Sequence, residues 1–135
     1  MARGLRRDDR GAAVVDFVLV SVLLIVLLFG VLQVAVFFYA RNIVAASTAD
    51  AARFAAAAGV PPSAGVARAR TLMAAGLTGS VTRGVRCSAS DGVDPASGLP
   101  VTTVRCAGTM RAFLLRIPLP LHLDATSSAL TEGHR

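Results

Sequence analysis

The chain has 135 residues, the size of one small folded unit or of an anchor followed by one. It is 54% hydrophobic with a mean hydropathy of +0.63, yet it has no Trp and one Tyr, which argues against a soluble multidomain enzyme. The 14 basic residues are all arginine, and the net charge is +6. A charge of this size suggests an anionic membrane or nucleic acid as a partner.

The first predicted element is a membrane-spanning helix. Residues 17–38 read FVLVSVLLIVLLFGVLQVAVFF, a run without any charge. As a helix this run is about 33 Å long, enough for a hydrocarbon core of about 30 Å. A cleaved secretory signal is the alternative, but its apolar region would be only about 7–15 residues long. A buried core helix would need more chain around it than the sequence offers.

The arginines flanking this run predict its orientation. Four precede it, at Arg3, Arg6, Arg7 and Arg10, whereas only Arg41 follows closely. Positive charge marks the cytoplasmic side of a span. We therefore expect a basic cytoplasmic leader at residues 1–11 and an extracytoplasmic region from residue 40, in a single-pass inner-membrane protein.

The helical pattern continues beyond the predicted span. Residues 40–58 are rich in alanine and contain no Gly or Pro, and Gly59 with Pro61 and Pro62 ends the pattern. One helix is therefore predicted over residues 12–58. Small residues at helical spacing form a stripe that would let a neighbouring subunit's helix approach: Ala45, Ala49, Ala52 and Ala56.

Residues 59–135 are predicted to form a small extracytoplasmic domain, which makes the fold class α+β. Ser63 would cap a short helix that reaches Leu77. Alternating runs at residues 81–87 and 100–108, joined by a turn-rich loop, predict an antiparallel hairpin. A third apolar run at residues 112–123 contains prolines and would supply at best an edge strand, followed by a small polar tail from Thr126.

Cys87 and Cys106 fall on the two strands of this hairpin. Outside the cytoplasm a disulfide between them is more plausible than two free thiols. Closing a loop of this length contributes about 3 kcal/mol, which a domain with so few aromatics needs.

Catalytic, metal-binding and cofactor-binding patterns are absent from the sequence. His122 and His134 are isolated, and the serines lack a nucleophile context. The arginines of the second half have no interleaved aromatics on which bases could stack: Arg83, Arg86, Arg105, Arg111 and Arg116. We expect neither an enzyme nor a nucleic-acid-binding protein.

Asp16 stands directly before the charge-free run, five positions after Gly11. A basic leader, a glycine, four residues and an acidic residue that opens a long apolar helix form the type IV prepilin pattern. With Ala51-Ala52-Arg53 farther on, residues 10–59 resemble the TadE-like family of minor pilins, or pseudopilins, of tight-adherence (Flp) pili. Asp16 replaces the commoner glutamate and is one methylene shorter.

The resemblance implies a structural subunit or assembly factor of a tight-adherence pilus or secretion system. It also implies cleavage between Gly11 and Ala12 by a prepilin peptidase, a contact between Asp16 and neighbouring subunits, and an inner-membrane platform with a secretion ATPase. Two alternatives stay open from the residues alone. One is a bitopic envelope protein with an extracytoplasmic binding domain unrelated to pili, and the other is a holin-like permeabilising protein.

Overall fold

The longest element is one helix, α1, which spans Asp9–Ala55. The computed structural model describes residues 9–111 and 120–133, with side-chain surroundings from residue 11 onward. α1 contains no proline, and its leucines and alanines favour helix. It ends before the predicted limit at residue 58, because residues 56–58 already turn towards Gly59, whose φ of 77° suits glycine.

A second helix, α2, spans Pro62–Gly76 and packs antiparallel to the end of α1. The prediction that Ser63 caps it is wrong: Pro61 occupies the cap position without a side-chain hydrogen bond, and a proline begins the helix. Proline suits this place because its ring presets a helical φ and its missing N–H would have no helical partner. α2 buries Gly65, Ala69 and Met73.

A short helix, α3, spans Gly79–Gly84, where the alternating pattern predicted the start of a strand. That prediction is wrong for residues 81–84. The backbone N–H groups of Val81 and Thr82 both donate to the carbonyl of Thr78, and the Thr82 hydroxyl donates to the same oxygen. Local helical bonds therefore capture this segment before strand pairing begins at Val85.

Three strands form an antiparallel sheet in the order β1-β2-β3: β1 spans Val85–Val93, β2 spans Pro100–Arg111 and β3 spans Pro120–Leu130. The predicted hairpin is confirmed, with Cys87 opposite Cys106. Its loop is shorter than predicted, since β1 continues to Val93. The turn is closed by hydrogen bonds between the backbones of Asp94 and Leu99 and of Gly98 and Asp94.

The third strand lies later in the chain than predicted. β3 begins at Pro120, and residues 112–119, which made up most of the predicted run, lie outside the described residues. It continues through Thr126, where a polar tail was expected, because these residues pair with β2 as far as Leu130. β3 is an edge strand of the described sheet, and Pro120 is tolerated as its first residue.

The core lies between one face of the sheet and the two longer helices. Val104 and Cys106 of β2 are fully buried, and Met73 of α2 and Leu123 of β3 are each 1% exposed. Residues of the C-terminal part of α1 belong to the same core, from Phe37 and Ala40 to Ala52. We call residues 33–55 of α1 with α2, α3 and the sheet the head.

Candidate membrane anchor and assembly site

The N-terminal part of α1 is an apolar rod that contacts no other described element extensively. Residues 11–32 are exposed apart from half-exposed Ser21 and Gly30. The most apolar window of this helix has a mean hydropathy of 3.0 and none of it is buried, so α1 is long and apolar enough to cross a membrane. Residues 11–32 are about 33 Å long as a helix, close to the hydrocarbon thickness of about 30 Å.

The head begins where this rod ends. Gln33 is the first buried residue of α1, at 8% exposure, and Phe37 and Ala40 pack in the head's core. The predicted span of residues 17–38 therefore overlaps the head by one and a half turns of helix. Because these turns are covered on one side by protein, the segment free to contact lipid all round ends at Leu32.

The polar groups within the rod differ in how they are satisfied. The Ser21 hydroxyl donates to the carbonyl of Phe17 at 2.7 Å, which removes an unpaired donor from an apolar surface. The Asp16 carboxylate is exposed, and no hydrogen bond or ion pair engages it among the described residues. Arg10, six positions earlier, could also pair with Asp16, but its side chain lies outside the described side chains.

Asp16 lies towards the N-terminal end of the rod, five positions after Gly11. Sixteen residues separate it from Leu32, or about 24 Å of helix. If the bilayer boundary is near Leu32, the carboxylate is within the hydrocarbon layer of about 30 Å. A carboxylate there is costly without a cationic partner.

Gly11 and Ala12 lie in the first turns of α1, and both are exposed. A Cβ added at Gly11 would meet no atom within 4 Å. The described fold therefore does not require a glycine at this position. The same holds for Gly30, where an added Cβ also meets nothing.

Half of the predicted small-residue stripe is buried within the chain. Ala52 and Ala56 are 1% and 3% exposed, buried in the head, so they cannot contact another subunit while it is folded. A helix does approach closely here, but it is α2: a Cβ at Gly65 would lie 2.7 Å from the Ala55 Cβ. Ala45 is exposed and Ala49 half-exposed, so these two remain available.

The head holds the predicted disulfide. Cys87 and Cys106 are bonded directly across β1 and β2, with Cα atoms 4.1 Å apart. Cys106 is fully buried in the core, so the bridge joins the sheet's inner face at a point covered by the helices.

A cavity of about 290 Å³ lies at the end of the head where α1 meets α2, lined in part by Asp91, Thr102 and Glu132. The Thr102 hydroxyl, fully buried, donates to Asp91 at 2.6 Å. Within residues 9–111 and 120–133, no three of His, Cys, Asp and Glu converge as metal ligands would. His122 is exposed on β3, and His134 and Arg116 lie outside the described residues.

One carboxylate in the head has a shifted pKa. Hydrogen bonds from the Ser97 hydroxyl and backbone N–H, at 2.6 and 3.0 Å, lower the pKa of Asp94 because they favour the charged form. This is an Asx-type turn that closes the β1–β2 hairpin. Its effect is to stabilise a turn.

Sequence reasoning missed the junction between rod and head. Gln33 could have indicated this junction, because it is one polar residue in an apolar run. Phe37, Ala40 and Val44 follow it on the same helix face, at spacings of four and three. All of these are buried or half-buried. Helical spacing of this kind marks a face covered by protein rather than lipid.

These features define a class of protein. It has one apolar helix that is exposed for its first half, and the second half of this helix packs in the core of a small disulfide-bonded α+β head. A family model described as TadE-like protein matches residues 11–53, which confirms the resemblance predicted from the sequence. The match covers most of α1 but neither α2 nor the sheet, and it suggests a protein associated with Tad pili. No match was found among curated proteins or among solved structures.

Proposed function

We propose that this chain is a minor pilin or pseudopilin-like subunit, or an assembly factor, of a tight-adherence pilus. Its role is structural rather than catalytic. The observation that carries the proposal is the division of α1, whose residues 11–32 are exposed and apolar while residues 33–55 are embedded in the head. Such a helix can sit in lipid as a monomer and exchange lipid for neighbouring helices in an assembly. The family match over the same helix supports this reading.

The anchor has its N-terminus in the cytoplasm and the head outside. Arginines at positions 3, 6, 7 and 10 precede the rod, which is the positive flank expected on the cytoplasmic side. The Cys87–Cys106 bond supports the same orientation independently, because disulfides persist in oxidising compartments and are rare in the cytosol.

Cleavage between Gly11 and Ala12 supplies the partner that Asp16 needs. The new α-amine of Ala12 would lie about one helical turn from Asp16, within reach on the same chain or on a neighbouring one. Since the described fold does not require glycine at position 11, a requirement for glycine there would come from recognition by a peptidase.

The processing step is tested by N-terminal sequencing of membrane-extracted protein from cells that have an active prepilin peptidase. The wild-type chain should begin at Ala12. Gly11→Leu should retain Met1 or Ala2, because the peptidase must accept a residue with almost no side chain. Gly30→Leu is the matched control and should be cut normally; a leader retained in the wild type would refute processing.

Assembly is tested by pilus formation, or by co-purification with pilus components, measured beside the amount of protein in the membrane. Asp16→Ala should accumulate normally but fail to assemble, because it loses the charge that sets register with neighbours. Asp16→Glu should assemble. Normal assembly of Asp16→Ala at normal abundance would refute the role given to this carboxylate.

The alanine stripe gives a second assembly test that follows from the corrected geometry. Ala45→Leu enlarges an exposed position and should impair assembly while leaving the head stable. Ala52→Leu enlarges a buried position and should destabilise the head by about 1–3 kcal/mol even in the unassembled chain. Equal loss of head stability in both variants would remove Ala45 from the proposed contact.

A further inference from the structure

One end of the head faces the membrane, and contacts along α1 show which end it is. The backbone N–H of Glu132, just after β3, donates to the carbonyl of Ala56 at the far end of α1. β3 is 11 residues long, about 36 Å at the usual rise per residue, so its first residue lies at the opposite end, towards the rod. Pro120 pairs with Arg111, which places the end of β2 there too.

α2 and α3 confirm the same direction. Gly65 lies against Ala55, whereas Gly76 lies against Ile43, and the Tyr39 hydroxyl donates to the Gly76 carbonyl at 3.2 Å. α2 therefore runs back towards the rod, and α3 follows at the end nearest the membrane. We call this end of the head, from Arg41 and α3 to the end of β2, the membrane-proximal end.

Charge is divided between the two ends of the head. Four exposed arginines lie at the membrane-proximal end: Arg41, Arg83, Arg86 and Arg111. Asp124 is the one described carboxylate at that end, and it is 3.4 Å from Arg105. The remaining described carboxylates of the head lie farther from the rod, in the part that also holds Arg53, Arg68 and Arg70: Asp50, Asp91, Asp94 and Glu132. Frequent use of arginine explains the number of cations but not the scarcity of carboxylates at the membrane-proximal end.

Arg41 lies at a height where lipid headgroups are within reach, and the other three arginines lie at the same end of the head. Arg41 is nine residues beyond Leu32, or about 14 Å of helix. Headgroups add about 5–8 Å on each side of the hydrocarbon core, and an extended arginine side chain spans most of the remainder. The Debye length at physiological salt is about 8 Å, so the attraction across the remaining gap between arginine and headgroup is only weakly screened.

We propose that the membrane-proximal end of the head docks on the bilayer surface through these arginines and prefers anionic phospholipid headgroups. The inference rests on the membrane anchorage given under Proposed function. Docking would hold the head in one orientation on the membrane before assembly.

The expected effect follows from the attraction of basic side chains to an anionic surface. Each arginine near such a surface shifts the ratio of docked to undocked heads by about fivefold. Replacing two of the four should therefore lower this ratio by about 25-fold. Raising salt well above physiological concentration should also lower this ratio, because it shortens the screening length around these exposed charges.

The test uses the full chain in lipid nanodiscs, either of phosphatidylcholine alone or of phosphatidylcholine with phosphatidylglycerol. Each disc contains a small fraction of lipid with a paramagnetic headgroup, and broadening of backbone amide NMR signals reports proximity to it. Amides at Arg83 and Met110 should broaden more in the anionic discs than in the neutral ones. Amides at Val93 and Leu130, at the opposite end of the head, should not change.

Arg83→Gln with Arg111→Gln should clearly reduce the difference between the two lipid compositions. The matched control is Arg53→Gln with Arg70→Gln, which removes the same charge from exposed positions farther from the rod and should keep the difference. Equal broadening in both lipids, or an effect of the control equal to that of the test variant, would overturn the proposal.

Two further outcomes distinguish a failure of the docking proposal from a failure of the membrane anchorage. If the head shows no lipid dependence while amides of residues 12–32 stay shielded by the acyl chains, the docking proposal fails and the anchorage stands. If residues 12–32 are not shielded, the anchorage fails and the docking proposal fails with it. Broadening that grows with the number of chains per disc would assign the arginines to an acidic surface of another subunit instead, and would also overturn the proposal.

Discussion

The two halves of α1 share one continuous helix but have opposite surroundings. Residues 11–32 contain two alanines and many Val, Leu, Ile and Phe side chains, which stay exposed on all sides. Residues 33–55 contain eight alanines, and those at positions 40, 51, 52 and 55 are buried. Large side chains cover the exposed half, whereas small ones let α2 and the sheet pack closely against the other half. Side-chain size, as well as hydrophobicity, distinguishes the two halves.

The largest expected effect is on the stability of the head, where replacing a buried leucine should cost far more than replacing an exposed one. Leu123→Ala should lower the free energy of unfolding of the head by about 2–5 kcal/mol, because it removes a side chain that is 1% exposed and leaves a cavity. The measurement is denaturant unfolding of the full chain in detergent micelles. Leu130→Ala in the same strand, at 58% exposure, and Leu24→Ala in the rod, at 60%, are the controls and should leave the head's stability nearly unchanged.

Loss of the disulfide should come next. Cys87→Ser with Cys106→Ser should lower the free energy of unfolding by about 3 kcal/mol, as expected for the closed loop that it opens. Pulsed proteolysis in micelles measures the change, with Ser88→Ala on the exposed face as control. Non-reducing mass analysis of envelope protein should show the two cysteines joined; two free thiols would refute the bond.

Glycine substitution compares the two halves of the molecule most directly. Gly65→Ala should destabilise the head by about 1–3 kcal/mol, because the new Cβ would lie 2.7 Å from the Ala55 Cβ. Gly30→Ala, where no atom lies within 4 Å, should leave the head's stability unchanged. Equal destabilisation by the two substitutions would mean that α2 does not pack as described.

The smallest effect concerns pH and the hairpin turn. The pKa of Asp94 is lowered in the folded head, so its hydrogen bonds contribute stability above the ordinary pKa of an aspartate, near pH 4. That contribution is lost as the pH falls through the lowered value. NMR titration should show the pKa of Asp94 rising towards its ordinary value in Ser97→Ala, while Ser90→Ala leaves it unchanged.

Much of the fold could be predicted from local patterns. The long helix, the hairpin and the pairing of Cys87 with Cys106 follow from runs of hydrophobicity, alternation and spacing, and the structure confirms them. The errors fall where neighbours compete with local pattern. Residues 81–84 alternate like a strand but are held in α3 by the Thr78 carbonyl, and β3 extends through small polar residues because β2 offers pairing partners.

The candidate site was less predictable because it depends on what covers each face of α1. Composition could not distinguish an alanine stripe that meets another subunit from one that meets α2, and Ala52 and Ala56 turned out to be buried within the chain. The end of the rod at Leu32 was missed for the same reason. A hydropathy window sums over all faces of a helix and cannot see that one face is covered.

The continuity of α1 from rod to head also fixes a rotational phase. No loop separates Leu32 from Gln33, so the azimuth of Asp16 about the helix axis is locked to the direction in which the sheet faces. Inserting one residue between them would turn the two by about 100° and part them by about 1.5 Å. Inserting seven would nearly restore the azimuth, to within about 20°, while adding about 10 Å of height. The distance between Asp16 and the head and the rotation of one relative to the other can therefore be changed almost independently, through the number of inserted residues.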